Sequence, residues 1–154
     1  MNLYAESSAP LAWLLEQAGG ELAAAKLSDA EIVVASDLTL IECDRVLVRA
    51  AVLGELDEAD ALDRQARLAR AASSWTLLAL DDEIAERARR PFPTEPVRTL
   101  DAIHLASALL ARKAIPELGM LTLDLRIRQA AARLGLKLVP SDEELDAGRP
   151  MPRS

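Results

Sequence analysis

The sequence predicts a three-layer α/β domain, with a central five-stranded parallel sheet between two layers of helices. Short β-branched or apolar runs, typical of buried strands, alternate with longer segments of helical periodicity. No internal repeat or low-complexity linker interrupts this alternation. The length of 154 residues suits one domain with one hydrophobic core. We place that domain at residues 1–140 and expect residues 141–154 to form a loose, polar, proline-containing tail.

Composition and end signals define each predicted element. Predicted strands cover residues 2–5, 32–35, 75–80, 119–123 and 136–139, and predicted helices cover residues 9–17, 21–27, 38–53, 56–72, 83–90, 100–113 and 124–134. Pro10 suits a first helical turn, because its missing N–H needs no partner there. Gly54 and Pro91 each follow a helical segment and are expected to end it.

Side chains that can accept a hydrogen bond from free backbone N–H groups stand before several helices. The candidate caps are Ser36 or Asp37, Asp81 or Asp82, and Thr99. Within the fourth helix, Leu62, Ala66 and Ala69 recur at helical spacing, which predicts that they form its apolar face.

Bulk properties narrow the class of protein. Hydrophobic residues make up 51% and charged residues 28% of the chain, which is typical of a globular protein. The net charge of −7 argues against a broad basic surface for nucleic acid, but it is compatible with a nuclease whose carboxylates bind cations. Cys43 is the single cysteine, which excludes an internal disulfide and suits the cytoplasm. No signal peptide and no membrane-spanning run are expected.

Four acidic residues stand where a parallel sheet places its ligands, at the carboxyl ends of the strands. Glu6 and Asp124 directly follow predicted strands, whereas Glu42 and Asp101 lie near the starts of helices, in apolar surroundings that require a partner for a charge. Clustered carboxylates repel one another unless a cation lies among them. The sequence therefore predicts a site for Mg²⁺ or Mn²⁺, which prefer oxygen ligands. The alternative for each acid taken alone is a helix cap or a solvated charge.

Four further residues are candidates for a supporting role. Ser8 can hydrogen-bond a metal ligand or cap a helix, and Thr122 can orient a carboxylate or pack in the core. Arg98 can reach a phosphate group of a ligand or form a surface salt bridge. His104 lies three residues after Asp101 on the same side of the helix, and we favour a structural role for it over metal ligation. Competing chemistries lack their motifs, since the chain has no glycine-rich phosphate loop, no Cys-x-x-Cys and no Gly-x-Ser-x-Gly.

At these residues the sequence resembles the PIN-domain family, and in particular the VapC-like toxins of bacterial toxin–antitoxin pairs. The resemblance runs from about Asn2 to Val139. It rests on four segments in order, which are LYAESSA (residues 3–9), LIECDRVL (residues 40–47), RTLDAIHLA (residues 98–106) and TLD (residues 122–124) followed by a helix, Gly135 and a last strand.

The resemblance implies a metal-dependent endoribonuclease that acts on RNA, has a small antitoxin as its partner and commonly forms a homodimer. Glu6, Asp101 and Asp124 would then hold Mg²⁺ or Mn²⁺, and Glu42 would complete the catalytic set. Glu6 departs from the family, which has Asp there, and its extra methylene moves the carboxylate by about 1.5 Å. Two alternatives stay open, a catalytically weakened PIN-like binding module and a different metal-dependent phosphohydrolase.

Overall fold

A parallel five-stranded sheet organises the chain, as the sequence predicts. The computed structural model describes residues 1–147. The strands are β1 (Asn2–Ala5), β2 (Ile32–Ser36), β3 (Thr76–Leu78), β4 (Gly119–Leu121) and β5 (Lys137–Val139), and their order across the sheet is β3-β2-β1-β4-β5. Every pair of neighbouring strands is parallel.

Eight helices of the described residues connect and cover these strands. They are α1 (Ser8–Leu14), α2 (Gly20–Asp29), α3 (Asp37–Val52), α4 (Glu58–Ala72), α5 (Asp82–Ala88), α6 (Thr99–Ala114), α7 (Leu125–Arg133) and α8 (Asp142–Ala147). The first seven lie where the sequence predicts helices. None of the helices in residues 1–147 is long and apolar enough to cross a membrane.

The central strand β1 decides where the site forms. Leu3 pairs with Val33 of β2 on one side and with Gly119 of β4 on the other. The Glu6 N–H extends the second pairing by donating to the Leu121 carbonyl at 3.0 Å. Because all strands point the same way, the residues that follow β1, β2 and β4 meet at one edge of the sheet.

Successive strand residues point to opposite faces, and each face has its own helices. Tyr4, Val34 and Met120 pack against buried residues of α6 and α7, including Leu105 and Ala131. On the other face, a second cluster joins the strands to α1 and α2, and it contains Leu3, Ala9, Ala23, Leu121 and Val139. The helices α6 and α7 therefore form one layer and α1 and α2 the other.

Two details of the helices differ from the sequence prediction. Asp81 does cap α5, since it accepts a hydrogen bond from the Ile84 N–H at 3.0 Å. The predicted cap at Ser36 or Asp37 is wrong, because the Ser36 hydroxyl accepts a hydrogen bond from the buried Tyr4 phenol instead. The predicted cap at Thr99 is also wrong, because Thr99 is already the first helical residue and no side chain caps α6.

The helix α4 buries a different face from the predicted one. Leu62, Ala66 and Ala69 are exposed to solvent. The buried residues of this helix are Ala61, Leu68 and Ala72. Leu68 lies in a cluster with residues of α1 and α3, and this contact sets the rotation of the helix.

The start of the predicted loose tail is ordered. Residues 142–147 form α8, so the expectation is wrong for them. Asp142 pairs with the buried Arg128 guanidinium at 2.6 Å, and Glu144 pairs with Lys26 of α2 at 2.5 Å. These two ion pairs attach α8 to α7 and to α2. Residues 148–154 of the predicted tail lie outside the described part of the chain.

Gly20 allows α1 and α2 to approach closely. A Cβ atom at this position would lie 2.3 Å from the Ala12 carbonyl oxygen, a backbone atom that has little room to move. We expect Gly20→Ala to lower the free energy of unfolding by about 1–3 kcal/mol, the usual range for overpacking. Urea denaturation measures this, and Glu21→Ala, at the exposed next position, serves as the control. A loss no larger than that of the control would contradict the close approach.

Candidate metal centre

Polar side chains from four segments meet at the carboxyl edge of the sheet. Glu6 follows β1 directly, and Glu42 lies in the second turn of α3. The first two turns of α6 contribute Asp101 and His104, and Asp124 precedes α7. The segments that carry these residues are far apart in sequence, so the topology of the sheet brings them together.

The Glu6 carboxylate is buried, with 3% of the residue exposed, and four donors surround it. Oε1 accepts hydrogen bonds from the Ser7 hydroxyl at 2.9 Å and from the Ser8 N–H at 3.0 Å. Oε2 accepts from the Thr122 hydroxyl at 2.7 Å and from the Ser8 hydroxyl. A carboxylate has about four lone-pair directions, and the donors leave at most one of them free, because Ser7 has a single hydrogen for Glu6 and Glu42. The extra methylene of Glu6 thus places its carboxylate in a ring of hydroxyl and amide donors.

Glu42 faces Glu6 across Ser7 and is paired with a histidine. Its Oε1 lies 2.5 Å from His104 Nε2 and 2.8 Å from the Ser7 hydroxyl, which donates to it. Burial disfavours the charged form of Glu42, but the hydrogen bonds from His104 and Ser7 outweigh it and lower the pKa of this carboxyl. Glu42 is therefore ionised although its side chain is mostly buried.

Tyr4 and His104 form a buried pair behind this cluster. The Tyr4 hydroxyl donates to the Ser36 hydroxyl at 3.1 Å and lies 3.0 Å from His104 Nδ1. The two rings meet edge to face, with centroids 6.1 Å apart. Burial raises the pKa of Tyr4 to about 12, so the phenol stays protonated at neutral pH.

Asp101 and Asp124 form the more open side of the site. Burial and the charge of Asp124 raise the pKa of Asp101, and the more distant charge of Glu6 acts in the same direction. Asp124 Oδ1 accepts hydrogen bonds from the N–H groups of Arg126 and Ile127, which caps α7. The Asp101 carboxylate makes no hydrogen bond with any residue between 1 and 147, so its oxygens are available to a ligand.

The structure brings some of the predicted site residues close together and leaves others farther apart. The possible ligand atoms of Glu6, Glu42 and His104 lie within 4.8 Å of one another. Asp101 and Asp124 stand outside this group and influence it through their charges. Ser8 and Thr122 both contact the Glu6 carboxylate. Arg98 is exposed, and its side chain makes no hydrogen bond or ion pair with a described residue.

Sequence reasoning missed Ser7 and Tyr4. Ser7 links the two glutamates, and its position directly after Glu6 was an available signal. Tyr4 is the only tyrosine of the chain and lies two residues before Glu6 on the central strand. Because alternate strand residues share a face, this spacing was a signal that Tyr4 lies near the site.

The donor set fits a divalent cation. Carboxylate oxygens suit Mg²⁺ and Mn²⁺, and an imidazole nitrogen suits first-row transition ions. Several carboxylates at one edge also leave negative charge that a cation would neutralise. We therefore expect the cation beside Glu42 and Asp101, where free oxygens remain.

Thr122→Val tests the dependence of Glu6 on its donors. The substitution keeps the shape of the side chain but removes the hydroxyl that donates to Glu6. We expect the free energy of unfolding to fall by about 1.5–3 kcal/mol, because hydrogen bonds to charged groups are worth about that much. The matched control is Thr76→Val on the exposed side of β3, with an expected change within about 0.5 kcal/mol in urea denaturation. Equal losses in both variants would show that the Glu6 contact is not important.

Alkaline titration tests the burial of Tyr4. With a single tyrosine in the chain, absorbance near 295 nm reports this residue alone. We expect phenolate to form with a midpoint near pH 12 in the native state, because the folded-state pKa is raised to about 12. The unfolded chain ionises near pH 10, so stability is full below that pH and falls as the pH rises toward 12. A native midpoint near pH 10 would contradict the buried position.

Comparisons with known proteins agree with this geometry. The PIN-domain family model matches residues 3–132, a span that includes Glu6, Glu42, Asp101, His104 and Asp124. Two curated relatives, both named Ribonuclease VapC35, come from Mycobacterium tuberculosis strains CDC 1551 / Oshkosh and ATCC 25618 / H37Rv. Each is 36% identical over 58 residues, which cover 38% of this chain and 43% of the relative. The match thus spans less than half the length of those relatives.

A solved structure has the same fold. The crystal structure of PAE2754 from Pyrobaculum aerophilum superposes with a TM-score of 0.58 and 21% sequence identity, covering 96% of this chain and 88% of that one. At this identity the likeness concerns the fold alone. The family model, by contrast, matches most of the sequence and all five residues of the acidic edge. The chain therefore belongs to the PIN-domain family.

Proposed function

We propose that this chain is a metal-dependent endoribonuclease, the toxin of a toxin–antitoxin pair. The observation that carries the proposal is the meeting of Glu6, Glu42, Asp101 and Asp124 at one edge of the sheet in a PIN-domain chain. The likeness to proteins named Ribonuclease VapC35 supports RNA as the substrate.

We assign the direct contacts with Mg²⁺ or Mn²⁺ to the acids that have free oxygens. The Asp101 carboxylate has no hydrogen-bond partner among residues 1–147, and Glu42 uses only Oε1 in its contacts with Ser7 and His104. Asp124 keeps Oδ2 outside its two capping bonds, and the contact of this oxygen with the exposed Arg126 guanidinium is long, at 3.4 Å. Glu6 was predicted from the sequence as a direct ligand, but its four donors lead us to propose that it positions Ser7, Ser8 and Thr122 and adds negative charge.

The chemistry that a divalent cation supplies in such a site is activation of water and neutralisation of charge on the phosphodiester. Asp101 and Glu42 would orient the attacking water by accepting hydrogen bonds from it. Water then adds across the P–O3′ bond, leaving a 5′-phosphate on one product and a 3′-hydroxyl on the other. The exposed Arg98, just before α6, would contact a phosphate of the RNA.

An apolar patch on α3 and α4 supports a protein partner. Ile41, Val48 and Val52 lie seven and four residues apart, a spacing that places them on one face of α3. All three are exposed, Val52 by 80%, and Leu62 of α4 is exposed as well. We propose that the apolar side of an antitoxin helix binds this α3–α4 patch. Basic residues of the partner would be attracted by the net charge of −7.

We also propose a homodimer and a cytoplasmic location.

Asp101→Asn tests the nuclease assignment. The substitution removes a carboxylate from the cation while keeping the shape of the side chain. We expect cleavage of single-stranded RNA with Mn²⁺ to fall by at least about 100-fold, and wild-type cleavage to stop after chelation. Growth arrest after expression without a partner should likewise occur with the wild type and not with this variant.

Asp60→Asn is the matched control, because Asp60 is exposed on α4, a helix that carries none of the candidate site residues. This variant should cleave RNA like the wild type. Equal cleavage by the wild type with metal and with chelator would eliminate the metal mechanism. Cleavage of nucleotides or phosphomonoesters in place of RNA would instead favour a different phosphohydrolase.

A catalytically weakened binding module is the second candidate. The observation that favours it is that both carboxylate oxygens of Glu6 already accept hydrogen bonds from the chain. A module of this kind would bind RNA in the presence of Mn²⁺ without cutting it. Binding and cleavage measured on the same labelled RNA separate the two candidates.

A further inference from the structure

Among residues 1–147, the His104 ring is the one basic group buried among the carboxylates of the site. Only 1% of the residue is exposed, and both ring nitrogens have neighbours. Nδ1 faces the Tyr4 hydroxyl at 3.0 Å, and Nε2 faces Glu42 at 2.5 Å. The question is which nitrogen carries hydrogen, because a nitrogen that carries hydrogen cannot bind a metal.

Tyr4 determines the answer through its single proton. The Tyr4 hydroxyl donates this proton to the Ser36 hydroxyl at 3.1 Å. The nearby hydroxyls of Thr39 and Ser107 donate to the carbonyls of Ala5 and Ile103 and are not free to donate to Tyr4. The Tyr4 oxygen therefore accepts a hydrogen bond from the ring, which places hydrogen on Nδ1. In the neutral ring, the lone pair is then on Nε2.

That lone pair points toward carboxylate oxygens. Nε2 lies 2.5 Å from Glu42 Oε1 and 4.0 Å from Glu6 Oε1. Ser7 lies 3.3 Å from Nε2, but its single hydrogen can be donated to only one of the three groups around it. Without a cation, the contact of Nε2 with Glu42 is a hydrogen bond, and the proton between the two atoms prevents repulsion. A cation held by Nε2 and the neighbouring carboxylate oxygens, which lie within 4.8 Å of one another, would take the place of that proton.

We propose that His104 is a ligand of the site's cation through Nε2, so that the centre is a mixed nitrogen–oxygen site that selects Mn²⁺ over Mg²⁺. The inference rests on the proposed function, because it concerns the ion that the nuclease would use. Imidazole nitrogen binds first-row transition ions, whereas Mg²⁺ keeps oxygen ligands and water. Tyr4 acts as the outer partner that fixes the ring, the role that a carboxylate or carbonyl has in many histidine metal sites.

Pulsed electron paramagnetic resonance on the full chain with MnCl₂ tests this directly. A coordinated imidazole gives a ¹⁴N coupling to Mn²⁺, and His104 is the only histidine of the chain, so the signal has one assignment. We expect this coupling in the wild type and its loss in His104→Gln. Spectra that show bound Mn²⁺ with oxygen ligands alone would overturn the proposal, as would a chain that binds no Mn²⁺.

Affinity measurements give a second readout that does not depend on activity. Calorimetric titration should show Mn²⁺ binding weakened about 10- to 100-fold by His104→Gln. Mg²⁺ binding should change by less than about threefold, since Mg²⁺ does not depend on nitrogen. Tyr4→Phe keeps the ring packing and removes only the hydroxyl, and it should weaken Mn²⁺ binding about tenfold. The exposed Lys113→Gln on the same helix is the control and should leave both affinities unchanged. Equal losses for Mn²⁺ and Mg²⁺ in His104→Gln would contradict the preference.

The outcomes separate this inference from the proposed function. A ¹⁴N coupling without RNA cleavage supports the ligand role and rejects the nuclease assignment. Cleavage of RNA at similar rates with Mg²⁺ and Mn²⁺, together with spectra lacking the nitrogen coupling, rejects the ligand role and supports the nuclease.

Discussion

Repulsion among carboxylates is the constraint on which this site depends. Glu6, Glu42, Asp101 and Asp124 come to one edge of the sheet, where burial weakens the screening by water. Each acid has its own compensation within the chain. Four donors surround Glu6, His104 and Ser7 contact Glu42, and backbone amides of α7 hold Asp124. Asp101 has the least compensation, and burial together with the charge of Asp124 raises its pKa. The site thus keeps negative charge that the chain does not fully compensate.

The topology of the fold concentrates this negative charge at one edge of the sheet. Since β1 is the central strand, the residue that follows it lies between the ends of β2 and β4. The start of α6 brings Asp101 and His104 over the same edge, while the rest of that helix packs on the sheet through Leu105 and Ala108. The core and the site therefore share elements, and helix packing fixes the direction in which the acids face.

Much of the fold could be predicted from the sequence, because strand and helix periodicities are local signals. The parallel sheet, the positions of seven helices and the cap at Asp81 follow from patterns within a few residues. The face buried by α4 could not be predicted, because Leu62 and Leu68 both recur at helical spacing and only the contact of Leu68 with α1 and α3 selects one. The helix α8 also depends on distant ion pairs, those of Asp142 and Glu144.

The site shows the same division. The four acids, Ser8 and Thr122 were candidates from the sequence, because their positions relative to strands and helices are local signals. Side-chain direction decided the rest. A sequence does not show that the donors around Glu6 leave it no free oxygen, or that the hydroxyl of Tyr4 sets the tautomer of His104. These contacts give the acids different proposed roles, although the sequence motifs do not distinguish them.

Diffraction from crystals soaked in Mn²⁺, recorded near the manganese absorption edge, tests the central claim most directly. The account predicts one anomalous peak at the carboxyl edge of the sheet, in contact with Glu42, Asp101 and His104. Soaked crystals without a peak there, or with the ion held only on another surface, would contradict it.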